Sequence, residues 1–272
     1  MFEQLLSRYG GDANLYANAA TAFLSHGEAR RALALCETGA ALAPDNQVCL
    51  ALMGTALRLL GDGREETLSG YDTLIRVFEV EPPQGFSDMA AFNTELDAYL
   101  DLLHPGTREH IAQSLRGGSQ TMEEVFGAGH ALIDRLQQRI GEAVSRYIAE
   151  LKSDESHPFL SRRRRRFSYA GSWSSRLGDH GFHANHMHPG GWISSCYYVA
   201  LPDAVRDEKN RQGWIKFGEP DIAVDLAEPV RRTIQPVAGQ LILFPSYLWH
   251  GTIPFHAAAA RTTIAFDAVP EL

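Results

Sequence analysis

Residues 182–189 read Phe-His-Ala-Asn-His-Met-His-Pro. In an extended chain residues i and i+2 face the same way, so His186 and His188 can aim at one point. The sequence answers this pair with His250, 62 residues after His188, at the end of Leu-Ile-Leu-Phe-Pro-Ser-Tyr-Leu-Trp-His (241–250), and with Arg261 a further 11 residues on. The stretch ending at His250 reads as a buried strand running to the edge of a site. Three neutral imidazoles on one face make a metal site with positions left open. Arg261 starts Arg-Thr-Thr-Ile-Ala-Phe, another strand, and offers a fixed cationic fork suited to a carboxylate. By the same parity His183, three residues before His186, is expected on the opposite face.

Outward from these residues the pattern is β. Phe167–Arg176, Trp192–Leu201, Gly213–Phe217, Gln240–Phe244 and Thr262–Phe266 are short apolar-rich runs between Gly, Pro and Asp turns. Such strands predict a sandwich or barrel with a ligand site in its mouth. Upstream the pattern is helical. Residues 13–46 read as a helical hairpin of tetratricopeptide type, with Tyr16, Ala20, Phe23, Gly27, Ala32 and Pro44 in the large, small and turn positions of that repeat. A second copy shares Gly54 and Gly61 and then degrades, with Glu66 in the place of a small residue. Two copies fall short of a self-standing solenoid. The helices are therefore expected either to pad the catalytic unit or to form a partner-binding groove.

Residues 64–104 read as helical with a break at Pro82-Pro83, and Ser87 is the expected N-cap of a helix over 88–103. Residues 113–121 read as a polar, glycine-bearing loop. Apolar residues from Leu132 to Leu151 recur at helical spacing. The chain thus reads as α+β, divided into a helical region (1–105), a linking loop and support helix (106–155) and a β domain (156–272).

The charge follows this division. Residues 1–159 carry 12 Lys/Arg against 23 Asp/Glu, whereas 160–272 carry 13 against 10. An acidic helical half is a poor partner for nucleic acid, and the five arginines 162–166 are read either as a solvated linker or as partners of an acidic surface such as the helical half. The three cysteines are in no metal-type spacing, which favours a reducing, cytoplasmic setting. No signal peptide and no membrane span are expected.

Six segments together resemble the Fe(II)- and 2-oxoglutarate-dependent dioxygenases, a double-stranded β-helix (jelly-roll, cupin-like) superfamily. They are 171–174, 182–189, 191–202, 213–218, 239–251 and 261–266. The resemblance covers about residues 167–270. It is narrower still to the bacterial 2-oxoglutarate oxygenases that carry tetratricopeptide-like helices before the barrel. It implies Fe(II) held by His186, His188 and His250, with His188 standing where that superfamily has Asp or Glu. The replacement removes one negative charge beside the metal. Further implied are Arg261 on the distal carboxylate of 2-oxoglutarate, Tyr198 beside it, and hydroxylation coupled to formation of succinate and CO₂. Arg116 and Trp192 are candidate substrate contacts, and the substrate is expected to be a peptide or protein side chain or a small molecule. Two alternatives stand beside this reading. One is a three-His cupin-type dioxygenase that does not use 2-oxoglutarate, against which Arg261 and the absence of a Glu soon after His188 both speak. The other is a non-catalytic metal- or ligand-binding module.

Overall fold

The computed structural model describes residues 4–5, 10–106 and 113–271. Helices come first: α1 (Ala13–Ser25), α2 (Ala29–Leu42), α3 (Gln47–Leu59) and the short α4 (Arg64–Ser69). Side-chain caps start two of them, Asp12 accepting from the Asn14 amide and Asn46 from the Cys49 amide. Strand β1 (Arg76–Glu79), helix α5 (Met89–Leu103), strand β2 (Leu115–Gln120) and helix α6 (Ala131–Glu150) follow. The remaining strands are β3 (Phe167–His183), β4 (Ile193–Ala200), β5 (Ile215–Phe217), β6 (Arg232–Ile234), β7 (Gln240–Pro245), β8 (His250–Thr252) and β9 (Arg261–Pro270).

All strand pairings are antiparallel. One sheet has six strands in the order β1-β7-β4-β9-β3-β2, and a second has three in the order β6-β5-β8. Helix α6 buries one stripe, Ile133, Leu136, Ile140, Val144, Tyr147 and Ile148, at helical spacing. Tyr147 Oη donates to the Leu74 carbonyl at 2.7 Å, which satisfies a hydroxyl that is wholly buried. One apolar core runs from the N-terminal helices through α6 into the strands.

Four sequence expectations change. Residues 64–104 are not one broken helix, because a strand, β1, pairs with β7 between α4 and α5. The cap of α5 is Asp88, not Ser87: its side chain accepts from the Ala91 amide at 2.8 Å. The 113–121 segment is largely strand β2 at the edge of the large sheet, not loop. Its glycines have a steric cause. The β2–β3 register shifts between Arg116 and Gly118, and a Cβ at 118 would sit 2.3 Å from the Arg176 carbonyl oxygen. Lastly, the arginine run is engaged in part, through Arg163, with backbone carbonyls and not with an acidic surface. Arg163 donates to the carbonyls of Ile148 and Ala149 at the end of α6, where a cation meets the helix dipole favourably.

The helical region is fastened directly behind the strands. Tyr247 Oη donates to the Leu68 carbonyl at 2.6 Å, and Trp249 Nε1 donates to Thr55 Oγ1 at 3.1 Å. Arg58 of α3 donates to the Gly218 carbonyl at 2.7 Å. No helix among the described residues is long and apolar enough to cross a membrane.

Candidate active site

Strand β3 ends at His183 and the chain continues in irregular extended form beside residues 246–250. The amides and carbonyls of His186 and His250 exchange hydrogen bonds at 2.9 Å, and the His188 amide donates to the Ser246 carbonyl at 2.9 Å. This pairing sets three imidazoles side by side. Ring centroids lie 4.2 Å apart for His186–His250, 5.1 Å for His186–His188 and 5.0 Å for His188–His250. One ring nitrogen from each falls within 4.8 Å of the others.

Each ring has its Nδ1 occupied. His186 Nδ1 donates to the Ala184 carbonyl at 2.8 Å, and His250 Nδ1 to the Leu248 carbonyl at 2.9 Å. His188 Nδ1 lies 2.6 Å from Asp267 Oδ1. With Nδ1 donating, Nε2 keeps its lone pair, the form a metal requires. Burial lowers the proton affinity of His186, to a pKa of about 3, and pushes that of His250 well below the usual imidazole value; neighbouring histidines add to both effects. Both rings are therefore neutral across the physiological range, with no proton to displace before a metal binds.

The cavity in front of these rings has a volume of about 240 Å³. Strand β9 supplies one wall through Arg261, Thr263, Ala265 and Asp267, alternate residues that share a face. Arg261 is 1 % exposed. Its Nε donates to the Gly213 carbonyl at 3.2 Å, and no carboxylate among the described residues pairs with it. A buried guanidinium without an acid is costly unless a ligand supplies the anion. Its carbon lies 5.1 Å from the Tyr198 ring centroid. The Tyr198 hydroxyl sits beside Cys196 and Arg261 without a well-formed hydrogen bond. Burial holds it strongly in its protonated form.

The remaining sequence candidates fall elsewhere. Arg116 Nη1 donates to the carbonyls of Gln113 and Leu115, at 2.6 and 2.8 Å, and the side chain does not line the cavity. Trp192 cannot meet a substrate in this cavity. It is fully buried, donates from Nε1 to the Phe159 carbonyl at 2.9 Å and packs on the Phe159 ring. His183, expected on the far face, lines the same cavity, 6.0 Å from His186 by ring centroids. Parity fails because residues 184–185 leave the regular strand. Its Nδ1 lies 3.2 Å from Ser114 Oγ.

Sequence reasoning missed Trp173, Ser175, Gln113 and Gln120, all of which line the cavity. The Trp173 ring stands 5.4 Å from that of His188. Ser175 Oγ and Gln113 Oε1 are buried without a partner, so each is free to bind a guest.

Residues 171–267 match the sequence profile of the family described as "Putative 2OG-Fe(II) oxygenase". The matched stretch contains His186, His188, His250 and Arg261. The protein is an oxygenase, with iron and 2-oxoglutarate as its cofactors. The oxygenase's donor set fits both groups: three convergent imidazoles for the metal, and a buried guanidinium without an acid partner among the described residues for a dicarboxylate. No curated protein matches the oxygenase sequence. Solved structures give loose likenesses. A Pseudomonas putida prolyl-4-hydroxylase is 15 % identical, with a TM-score of 0.48, covering 82 % of this chain and 100 % of that one. A Trichoplax adhaerens prolyl hydroxylase in complex with a hypoxia inducible factor peptide fragment is 14 % identical, at a TM-score of 0.49, with coverages of 76 % and 89 %. The 2-oxoglutarate complex of a viral collagen prolyl hydroxylase from Paramecium bursaria Chlorella virus-1 is 12 % identical, at 0.45, with coverages of 74 % and 98 %.

Proposed function

We propose that this oxygenase hydroxylates a peptide or protein side chain, or a small molecule, at a metal held by His186, His188 and His250. The observation that carries the reading is Arg261, a buried cation with no acid partner among the described residues, on the same cavity wall as the His cluster.

In this reading Fe(II) and 2-oxoglutarate together supply the oxidising power for placing an oxygen atom from O₂ on a substrate carbon. The three Nε2 atoms hold the metal on one face and leave its other side open to the cavity. Arg261 grips the distal carboxylate through its planar fork, so that only a keto-acid of matching length reaches the metal. Tyr198 buttresses the guanidinium from behind with its ring. Ser175 Oγ gives the bound acid or the substrate a hydrogen-bond partner. Trp173, Ile215 and Phe244 line the cavity and keep it dry. The substrate enters past Gln113, Gln120 and Pro189, and Arg116 stands near this path.

The two antiparallel sheets form a double-stranded β-helix in this reading, preceded by tetratricopeptide-like helices, with 1–105, 106–155 and 156–272 as the working units. The contacts of Trp249, Tyr247 and Arg58 favour a bracing role for those helices, because Tyr247 and Trp249 lie in the turn that leads from β7 to His250 and Arg58 holds the neighbouring Gly218 carbonyl. Three free cysteines suit a cytoplasmic setting.

The test is anaerobic addition of 2-oxoglutarate to the Fe(II)-loaded protein, followed by exposure to O₂. A weak visible charge-transfer band and then stoichiometric succinate are expected. A protein that takes up iron but neither develops the band nor forms succinate would return the three-His, 2-oxoglutarate-independent reading.

A further inference from the structure

Three imidazoles bring no carboxylate to the metal face. The structure places a carboxylate directly behind one of them, His188. Asp267 Oδ1 lies 2.6 Å from His188 Nδ1 and also accepts from Ser194 Oγ at 2.6 Å. Ser246 stands 2.8 Å from Ser194 Oγ. The side chains of His188 and Asp267 are only 10 % and 14 % exposed, and no Lys or Arg among the described residues pairs with Asp267.

The proton count of this network has one simple solution. Ser246 donates to Ser194, Ser194 donates to Asp267, and His188 donates from Nδ1 to Asp267. Every donor then points towards the carboxylate. The cost is that His188 has one tautomer only, with the Nε2 lone pair facing the cavity. The backbone enforces the arrangement. A Cβ on Gly191 would lie 2.3 Å from Ser246 Oγ and 3.1 Å from Asp267 Cγ, so only glycine leaves these groups in place. The β4–β9 register sets Ser194 opposite Asp267. His186 and His250, by contrast, rest their Nδ1 atoms on neutral carbonyls.

We propose that Asp267 is a positioning residue that acts on the metal site through the His188 ring, making His188 the most strongly donating of the three imidazoles. The proposal rests on the metal-centre reading above. A carboxylate behind a ligating imidazole raises its basicity and fixes its ring, and losing such a partner costs 10- to 100-fold in metal affinity. Asp267 does not itself reach the metal in this arrangement.

Co(II) titration of the metal-stripped protein, in a four-member set, tests this: unsubstituted, Asp267→Asn, His188→Ala and the double variant. The unsubstituted protein is expected to bind one Co(II). Asp267→Asn should weaken binding roughly 10- to 100-fold, and in the His188→Ala background the same substitution should change affinity by less than about twofold. Far-UV circular dichroism of the metal-free variants checks that each folds. A second readout is the exchangeable Nδ1–H resonance of His188 in the Co(II) form, assigned by its loss in His188→Ala. It should shift in Asp267→Asn, while those of His186 and His250 stay in place. Equal affinity for the unsubstituted protein and Asp267→Asn would overturn the proposal. So would the same loss in both backgrounds, which would mean that Asp267 acts without His188. If the unsubstituted protein binds no Co(II), the metal-centre reading falls and this inference falls with it.

Discussion

His186 and His250 are backbone partners as well as neighbours in the site: each donates its amide to the other's carbonyl, both at 2.9 Å. A mutually bonded antiparallel pair puts its two side chains on one face. Two side chains 64 positions apart in sequence are thereby locked together by main-chain atoms that any residue supplies. The fold does not depend on the imidazoles it presents.

Substitution should therefore separate metal binding from folding. His186→Ala and His250→Ala keep both backbone bonds and are expected to lose stoichiometric iron uptake with an unchanged far-UV spectrum. His183→Ala should still bind one iron. His183 faces the same cavity but is held against Ser114 and stands outside the cluster of convergent nitrogens. Metal analysis of the three purified variants decides; loss of iron from the His183 variant would add a ligand to the site.

Arg261 should matter for the cofactor and not for the fold. A buried cation without an acid contributes little or negatively to stability, so removing it trades one hydrogen bond, to the Gly213 carbonyl, against relief of a desolvated charge. Arg261→Met is expected to melt at or above the temperature of the unsubstituted apo-protein. The same variant should lose about 1–3 kcal/mol of 2-oxoglutarate binding, the usual cost of a charged hydrogen bond. Thermal melts with and without 2-oxoglutarate read both effects, since a ligand raises stability in proportion to its affinity. A ligand-induced shift equal in the two proteins would remove Arg261 from the cofactor site.

The convergence of His186, His188, His250 and Arg261 was legible in the sequence because each stands in a short apolar run whose strand character is local. What surrounds them was not. Parity misplaced His183 because counting works only in an unbroken strand, and the chain departs from one at Ala184. The glycines at 117–118 looked like a loop because their causes are distant in sequence: the backbone of Gly181 faces Gly117, and the carbonyl of Arg176, 58 residues away, faces Gly118. Asp267 has no local signature, since its hydrogen-bond partner lies 79 positions away. Trp192 sits in a motif of the domain but faces the core, and sequence cannot distinguish an aromatic that lines a cavity from one that packs beneath it.

Ala265 is the small residue between the two anchors. It stands on the cavity face of β9, four residues from Arg261 and two from Asp267, which at strand spacing is roughly 13 and 7 Å along the chain. A keto-acid reaching from Arg261 to the metal must pass over it. Ala265→Leu should fill this space, abolish the 2-oxoglutarate-induced thermal shift and leave iron stoichiometry at one. Destabilisation should stay below about 1 kcal/mol, because the new side chain enters a void and not packed core. Undiminished 2-oxoglutarate binding would show that the acid lies elsewhere.

His104 gives a pH prediction outside the metal site. Its Nδ1 lies 2.8 Å from Ser119 Oγ and its Nε2 3.0 Å from Ser174 Oγ, so a neutral ring bridges β2 to β3. Burial lowers its proton affinity, and the Arg176 charge lowers it further. The unfolded chain, with an ordinary histidine near pH 6.5, then binds more protons than the folded one at mildly acidic pH. The contribution is complete above about pH 6.5 and is lost progressively as pH falls towards the depressed folded value. Other buried histidines titrate in the same direction, so the difference between proteins is the relevant quantity. His104→Gln keeps a polar bridge without a titrating group. Urea unfolding at pH 7.5 and 5.5 should show a smaller loss of stability on acidification for His104→Gln than for the unsubstituted protein. Equal losses would mean that His104 does not stay neutral when the protein folds.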